Sequence, residues 1–411
     1  MQSIVVIGGG LIGAASALQL QHAGVRVTLI DPGDKRRGAS YGNAGHLGPE
    51  QVLPWSTWAN VGGAAGRSFG AGGALDFRWR DIGHWGPWSL RFLAACDPRR
   101  VAAGQAALTT ILGEAVPAWK RIAALAGAPE IVRDHGHVVV WMDSARAALG
   151  LKAWARTPVG TVRLREWSDH ELGRYDGVLR TRPAAGLFFE GAGQVRDPQH
   201  ARDAMVAAFE AKGGELVRDS AARVTTQAHV TLASGATREA DAVLIAAGAW
   251  SRPLMAQLGV DAPLIGERGY SVQSAEHAWP EDLPTTIFEE RSMVLSRFTS
   301  GLRATSFLEF GEPSAAPDPR KWARLEAHIR ALGVRFAATP DRWHGPRPTL
   351  PDYVPAIGRL QRTPRVLYAL GHAHLGLTMC AITSELILAL ARENAPPFDL
   401  APYAIERFRL A

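Results

Sequence analysis

The feature that most constrains this chain stands at its start. An apolar run, Ser3–Ile7, meets Gly8-Gly9-Gly10-Leu11-Ile12-Gly13, then an Ala/Leu-rich helical stretch ending near Gly24, a second apolar strand at 25–30, and Asp31 at its end. This is a βαβ unit of about minimal length. Gly8, Gly10 and Gly13 match G-x-G-x-x-G after a strand and at the opening of a helix. Gly8 allows the tight turn, Gly10 lets the backbone approach a pyrophosphate, and Gly13 permits close helix–strand packing. Leu11 and Ile12 stand at the helix N-terminus, where free N–H groups and a partial positive charge favour phosphates. Asp31, 18 residues after Gly13, is placed to accept hydrogen bonds from ribose hydroxyls. A carboxylate there repels a 2′-phosphate and disfavours NADP. The motif alone does not separate FAD from NAD.

The chain has 411 residues, enough for about two domains. A helix is expected over 102–126, interrupted at Pro117 and ended by Gly127. Further expectations are a strand at 137–141, a helix at 198–212 after Asp197-Pro198, and a strand buried on both faces at 240–247. The Gly/Ala-rich segment 57–75 reads as a surface connector. Between about 265 and 310 the pattern changes to short strands of alternating character, at 285–289, 293–297 and 302–309. A buried strand returns at Val366–Leu370 and passes through Gly371 into a final helix expected from about Leu375. The simplest architecture is α/β: a parallel-sheet domain (1–85, 150–262 and 340–411) interrupted by an antiparallel one (86–149 and 263–339).

Composition enters by exclusion. Lys+Arg minus Asp+Glu is 45 − 39 = +6, with no clustered basic stripe, so a nucleic-acid partner is not expected. The two cysteines, Cys96 and Cys380, lie apart in apolar surroundings, which excludes a disulfide framework and favours a reducing compartment. The first apolar run lacks a basic flank and is not a signal peptide. The best apolar stretch, 375–391, is broken by Ser384 and Glu385, so no membrane span is expected and the chain is placed in the cytoplasm. The aromatic stretch 79–92, with Trp85 and Trp88, leaves open a peripheral contact with a membrane surface or a partner. No H-E-x-x-H, P-loop or clustered metal ligands occur, and no metal is expected.

Four later segments carry a family resemblance. Ala39-Ser40-Tyr41-Gly42-Asn43-Ala44-Gly45-His46 resembles the S-x-x-N-A-G loop of the D-amino-acid oxidase-type flavoprotein superfamily. Ala246-Ala247-Gly248-Ala249-Trp250-Ser251 is similar to its A-A-G-A-W-S segment. Gly345-Pro346-Arg347-Pro348-Thr349-Leu350-Pro351-Asp352, with Pro355, Ile357 and Gly358, resembles its G-x-R-P motif. Gly371-His372-Ala373-His374-Leu375-Gly376 resembles the G-H-x-x-x-G turn beside the flavin. They run in family order over nearly the whole chain. The segments 266–271 and 301–311 look most like the D-amino-acid dehydrogenase branch, and a D-hydroxyproline dehydrogenase is one form of it.

The resemblance implies a glutathione-reductase-type FAD-binding Rossmann-like domain with an interleaved α+β substrate domain, and noncovalent FAD. Ser40, Asn43, Ala44 and Gly45 would meet the pyrophosphate or ring. Val224 would meet the adenine, and Ala247, Gly248, Trp250 and Gly345 would lie along the cofactor. Gly371, His372, Leu375, Gly376, Leu377 and Thr378 would form the turn and helix terminus at the flavin. Arg347 would hold the substrate carboxylate, because a planar guanidinium fixes its orientation. Tyr270 could donate to the same carboxylate, Arg303 ranks second as an anion ligand, and His46 and His374 match pocket-facing positions. Glu267 and Arg268, adjacent in sequence, are expected to point apart. The chemistry needs no strong base: a neutral amine pushes hydride from Cα to flavin N5, and water hydrolyses the iminium.

The leading reading is a dehydrogenase of D-amino acids, with cyclic D-proline or cis-4-hydroxy-D-proline among the candidates. Its electrons would pass to a quinone or an electron-transfer protein. His46, where a glutamine is common, and His374 would reshape the pocket. The alternatives are a glycine- or sarcosine-type oxidase using oxygen, and the flavin subunit of a heteromeric amine dehydrogenase. A plain NAD dehydrogenase leaves the four later segments unexplained.

Overall fold

The computed structural model describes residues 1–34 and 38–408. Ser3–Ile7 lies inside a six-stranded sheet of order Glu215–Val217, Arg26–Ile30, Ser3–Ile7, Ala242–Ile245, Val366–Leu370, Ala356–Arg359. All neighbours pair in parallel except the last. Both faces of this sheet are covered, and that explains its continuous apolar runs. On one face the helix Leu11–His22 lies between Pro198–Ala211 and Cys380–Ala391, with Ala14, Ala15, Ala17 and Leu18 fully buried. On the other, Val5, Ile7, Val243 and Ile245 pack with Val224, Val230 and Leu254, from a small antiparallel sheet and the helix Ser251–Gln257.

A second sheet of nine strands lies against the first unit. Its path is Asp341–Thr349, Ile265–Ser274, Gly301–Phe310, Met293–Phe298, Thr285–Phe288, His137–Trp141, Ala185–Glu190, Arg163–Glu166, and Leu75–Phe77 pairs with Gly301–Phe310. The helix Pro319–Leu332 covers one face, setting Leu325 and Ile329 against Val272, Leu295 and Leu302. The opposite face looks toward the dinucleotide motif, and the space between becomes the site. Among the described residues no helix is long and apolar enough to cross a membrane.

The division into units differs from the sequence expectation. The strands Arg163–Glu166, Ala185–Glu190 and Asp341–Thr349, and Leu75–Phe77 with them, belong to the nine-stranded sheet rather than to the first domain. Conversely, Pro98–Gly113 and Ala115–Leu125 bury Leu108, Ile111, Trp119 and Ile122 in the core that holds Leu18 and Ile387. Which sheet a strand joins is settled by non-local pairing, which local periodicity does not encode. The expected interruption of the helix near Pro117 falls instead at Glu114, and Pro117 sits in the first turn of the second helix. There its missing N–H costs nothing. The last helix starts at Cys380, later than expected, after a short 3₁₀ turn at Ala373–Leu375. The segment 57–75 contains the short helix Trp58–Gly62 and a 3₁₀ turn at Phe69–Ala71, and it forms part of the cavity wall.

Candidate active site

A cavity of about 1420 Å³ runs from the glycine turn, along the loop after the second strand, to the inner face of the large sheet. At its first end no side chain fits. A Cβ on Gly8 (φ +104°) would lie 2.5 Å from the Ala246 carbonyl oxygen, and one on Gly13 would lie 1.7 Å from that of Gly8. Gly13 therefore packs behind the wall, while Gly8, Gly10, Leu11 and Ile12 form it. Asp31 also lines the cavity; its Oδ2 accepts from the Gly9 N–H and its Oδ1 from the Gly33 N–H, both at 2.8 Å. Gly10 offers the helix no side-chain cap, and the Leu11 N–H donates instead to Ser40 Oγ at 3.1 Å. Arg202 donates to the Gly9 carbonyl at 2.8 Å and approaches Asp31 to 3.5 Å. A wall of bare backbone, a helix terminus and this volume fit a dinucleotide together with a small substrate.

Beyond it, Ser40, Asn43, Ala44, Ala247, Gly248 and Trp250 line the cavity. Gly45 does not: its N–H donates to Asn43 Oδ1 and a Cβ there would strike Phe298 at 2.3 Å. Arg303 departs from its expected role. Its Nη1 donates to the carbonyls of Tyr41 (2.8 Å) and Asn43 (2.7 Å) and its Nε to Gln273, so it clamps this loop to the large sheet rather than meeting an anion. Val224 lies behind the wall made by Ala221, Ala222 and Gln257, and its N–H donates to Gln257 Oε1. Gly345 and Gly371 are also off the wall, closed in by Trp343 and Leu350.

The turn at 371–378 supplies His372, His374, Leu375, Gly376, Leu377 and Thr378 to the wall. His372 shares a hydrogen bond with Thr383 Oγ1 at 3.1 Å, while its buried Nδ1 has no partner among the described residues; burial lowers its pKa to about 3. Trp119 Nε1 donates to the Leu377 carbonyl, and Thr378 Oγ1 accepts from the Gly48 N–H, so the turn is held from two sides. The orphaned imidazole nitrogen and the backbone turn suit a ring rich in hydrogen-bonding atoms.

At the far end Arg347 reaches the cavity from the strand Asp341–Thr349. Its Nη1 donates to Glu267 Oε1 and to the Phe307 carbonyl, each at 3.0 Å. Phe307 holds φ +72°, unusual for a bulky residue, at the point where its carbonyl meets the guanidinium. Tyr353 donates to Glu267 Oε2 at 3.0 Å. Burial raises the Glu267 pKa, against the pull of Arg347. His374 shares a hydrogen bond with Gln51 (2.9 Å) beside the rings of Trp55 and Tyr353, and burial, with Arg347 and His46 nearby, lowers its pKa to about 3. His46 Nε2 and His137 Nδ1 are 3.0 Å apart, with Glu50 Oε1 3.8 Å from each imidazole. Burial lowers His46 to about 4 and raises Glu50 to about 8, and Glu50 Oε2 has no partner among the described residues. Near neutral pH this wall carries neutral imidazoles and a protonated acid beside one guanidinium.

Tyr270 does not reach the cavity. It is fully buried on the other face of the large sheet, where its hydroxyl donates to Glu309 and accepts from the Asp318 N–H. Arg268 and Lys321 pair with the same Glu309. Glu267 and Arg268 do point apart, as strand alternation requires. Residues that the sequence did not single out include Glu50, Gln51, Trp55, His137, Arg202 and Tyr353. Tyr353 lies inside the G-x-R-P motif and was within reach. Arg202 and His137 carry no local signal, because each arrives from an element distant in sequence.

Residues 3–390 match the family described as FAD dependent oxidoreductase (DAO). A D-amino-acid oxidase of Bradyrhizobium diazoefficiens is 31% identical over 98% of both chains. A D-amino acid dehydrogenase of Paramagnetospirillum magneticum is 29% identical, also over 98% of both. Glycine oxidase from Geobacillus kaustophilus has the same fold, with a TM-score of 0.73 at 18% identity over 100% of both chains. Iminodiacetate oxidase from Chelativorans sp. BNC1 gives 0.72 at 18% over 98% of both.

Proposed function

We propose that this chain, which belongs to the FAD-dependent oxidoreductase family DAO, is a dehydrogenase that oxidises the Cα–N bond of a D-amino acid and passes the electrons to a quinone or another acceptor than oxygen. The observation that carries the reading is Arg347, a guanidinium set in a largely apolar cavity that the dinucleotide motif also lines. The glycine turn, Ser40, Asn43 and the turn at 372–378 would hold FAD, which would supply a hydride acceptor for the substrate Cα. The protein's part is positioning and electrostatics. Glu267 and the Phe307 carbonyl fix the plane of the Arg347 guanidinium, which leaves its remaining donors for a carboxylate. Trp88, Phe310 and Tyr353 exclude water around it. His46, His137 and His374 are held neutral, so they can accept a hydrogen bond from the substrate amine without opposing the positive charge that grows on nitrogen.

The D-configuration is supported by the names of the relatives at 29–31% identity. One of them is an oxidase, which favours a second reading with oxygen as the acceptor. The deciding experiment is the visible spectrum of the purified holoenzyme under anaerobic conditions. D-amino acids, D-proline and cis-4-hydroxy-D-proline among them, are added separately, with L-enantiomers, glycine and sarcosine alongside. Bleaching by a D-substrate, persisting when air is readmitted and reversed by a quinone analogue, is the expected result. Rapid reoxidation by air establishes the oxidase reading, and a flavin that no D-substrate bleaches overturns the D-amino-acid assignment.

A further inference from the structure

The charge balance around Arg347 leaves a substrate carboxylate short of one cation. Arg347 already has a counter-ion in Glu267, which is fully buried and 3.0 Å away. Adding a second carboxylate to one guanidinium in an apolar cavity leaves one negative charge uncompensated, which burial disfavours. The positive residues lining the cavity, among those described, are Arg67, Arg202 and Arg347. Arg202 is committed at the other end, between the Gly9 carbonyl, Asp31 and Asp203.

Arg67 is different. It sits in the segment 57–75 that walls the cavity, and its partners are neutral: Asn60 Oδ1 (2.9 Å), the Asn60 carbonyl (2.6 Å) and the Gly63 carbonyl (3.4 Å). Its guanidinium lies 5.8 Å from the centre of the Trp55 ring, and Trp55 stacks on Tyr353 with centroids 6.3 Å apart. Tyr353 in turn donates to Glu267, the partner of Arg347. Through Trp55 and Tyr353, Arg67 is thus connected by ring contacts and one hydrogen bond to the Glu267–Arg347 pair.

We infer that Arg67 is a second anion ligand for the substrate carboxylate, brought to the same cavity as Arg347 by the segment 57–75. This rests on the reading of the cavity as an amino-acid site. The carboxylate is then shared between a cation fixed in the large sheet and one carried by the connecting segment. Two cations, Glu267 and the incoming carboxylate balance to zero. A neutral analogue gains nothing from Arg67, so the residue selects for charge rather than for shape.

The test measures binding to the holoenzyme by perturbation of the flavin absorbance, with benzoate as the carboxylate probe and benzamide as its neutral isostere. Arg67→Gln is expected to weaken benzoate about 10- to 100-fold, the range of a lost charge-assisted contact, and to leave benzamide unchanged. Asn60→Ala loosens the same turn while keeping the charge, and should change benzoate less than about threefold. Equal benzoate affinity in Arg67→Gln and wild type overturns the inference. So does a loss in Asn60→Ala as large as in Arg67→Gln, an equal loss for benzamide, or no benzoate binding by the wild type at tens of millimolar. If the benzoate results hold while no D-amino acid bleaches the flavin, the anion site stands and the D-amino-acid reading falls.

Discussion

Arg347 joins two roles that a lysine cannot both fill. One edge of its guanidinium is spent on Glu267 and the Phe307 carbonyl, and a planar fork still has donors to spare. Arg347→Lys keeps the charge beside Glu267 and so should fold, but loses the second edge. Steady-state kinetics should show KM for the amine substrate rising about tenfold or more, with a smaller change in kcat. Glu50 gives a pH prediction at the same scale. Burial holds its carboxyl at about 8 against an ordinary 4.5, so the folded protein keeps a proton that the unfolded chain releases between these values. Its contribution is fully present below pH 4.5 and is lost as pH rises toward 8. His46, lowered from 6.5 to about 4, acts in the opposite sense, and stability falls as pH drops through that window. Glu50→Gln removes only the alkaline loss. Thermal melts should therefore show the variant gaining on wild type from pH 5 to pH 8, by at least about 1 kcal/mol. A gap that is constant over this range would refute the buried-acid account.

Among the elements, the glycine turn and the loop after the second strand were legible from the sequence because their constraints are local. A Cβ on Gly13 would meet the Gly8 carbonyl at 1.7 Å whatever the rest of the chain does. Gly13→Ala should accordingly separate the helix from the strand and lose the flavin, read as a fall in the ratio of visible to 280 nm absorbance. The loop at 38–45 depends on a distant strand as well: Arg303, in Gly301–Phe310, holds the carbonyls of Tyr41 and Asn43. Arg303→Met removes that clamp without touching the cavity wall. FAD affinity should weaken about tenfold, while the KM for substrate changes little once flavin is saturating. The sequence reading put Arg303 in the pocket because an arginine on a sheet strand looks the same whether it meets a ligand or a carbonyl. Tyr270 misled for a related reason. It stands three residues past Glu267 on one strand, so period 2 sets the two on opposite faces. Which face meets the cofactor depends on where Pro319–Leu332 packs, and no local pattern records that.

At the scale of the whole molecule, the two sheets have separate cores. Leu18, Ile111, Trp119 and Ile387 belong to one, and Val272, Leu295, Leu302 and Ile329 to the other, with the cavity between them. The parallel unit could be anticipated because its strands are continuously apolar. The boundaries could not, because the chain crosses between units several times, and helices at 98–125 return to the first core. This layout bears on cooperativity. The cavity of about 1420 Å³ is lined by residues of both units. The direct ties include Arg303 to the Tyr41 and Asn43 carbonyls, Ser300 to Asp197 and Gln194 to the Arg297 carbonyl. A bound flavin would touch residues of both units at once, and ligand binding adds stability only to states in which its whole site is formed, about 2.7 kcal/mol at a hundred times Kd. Calorimetry of the apoprotein should therefore resolve two transitions, since separate units need not unfold together. The holoenzyme should show one transition at higher temperature, because losing either unit releases the flavin. A single apoprotein transition with a calorimetric enthalpy equal to its van't Hoff value would mean that direct contacts alone couple the two sheets, and that the flavin's role is confined to chemistry.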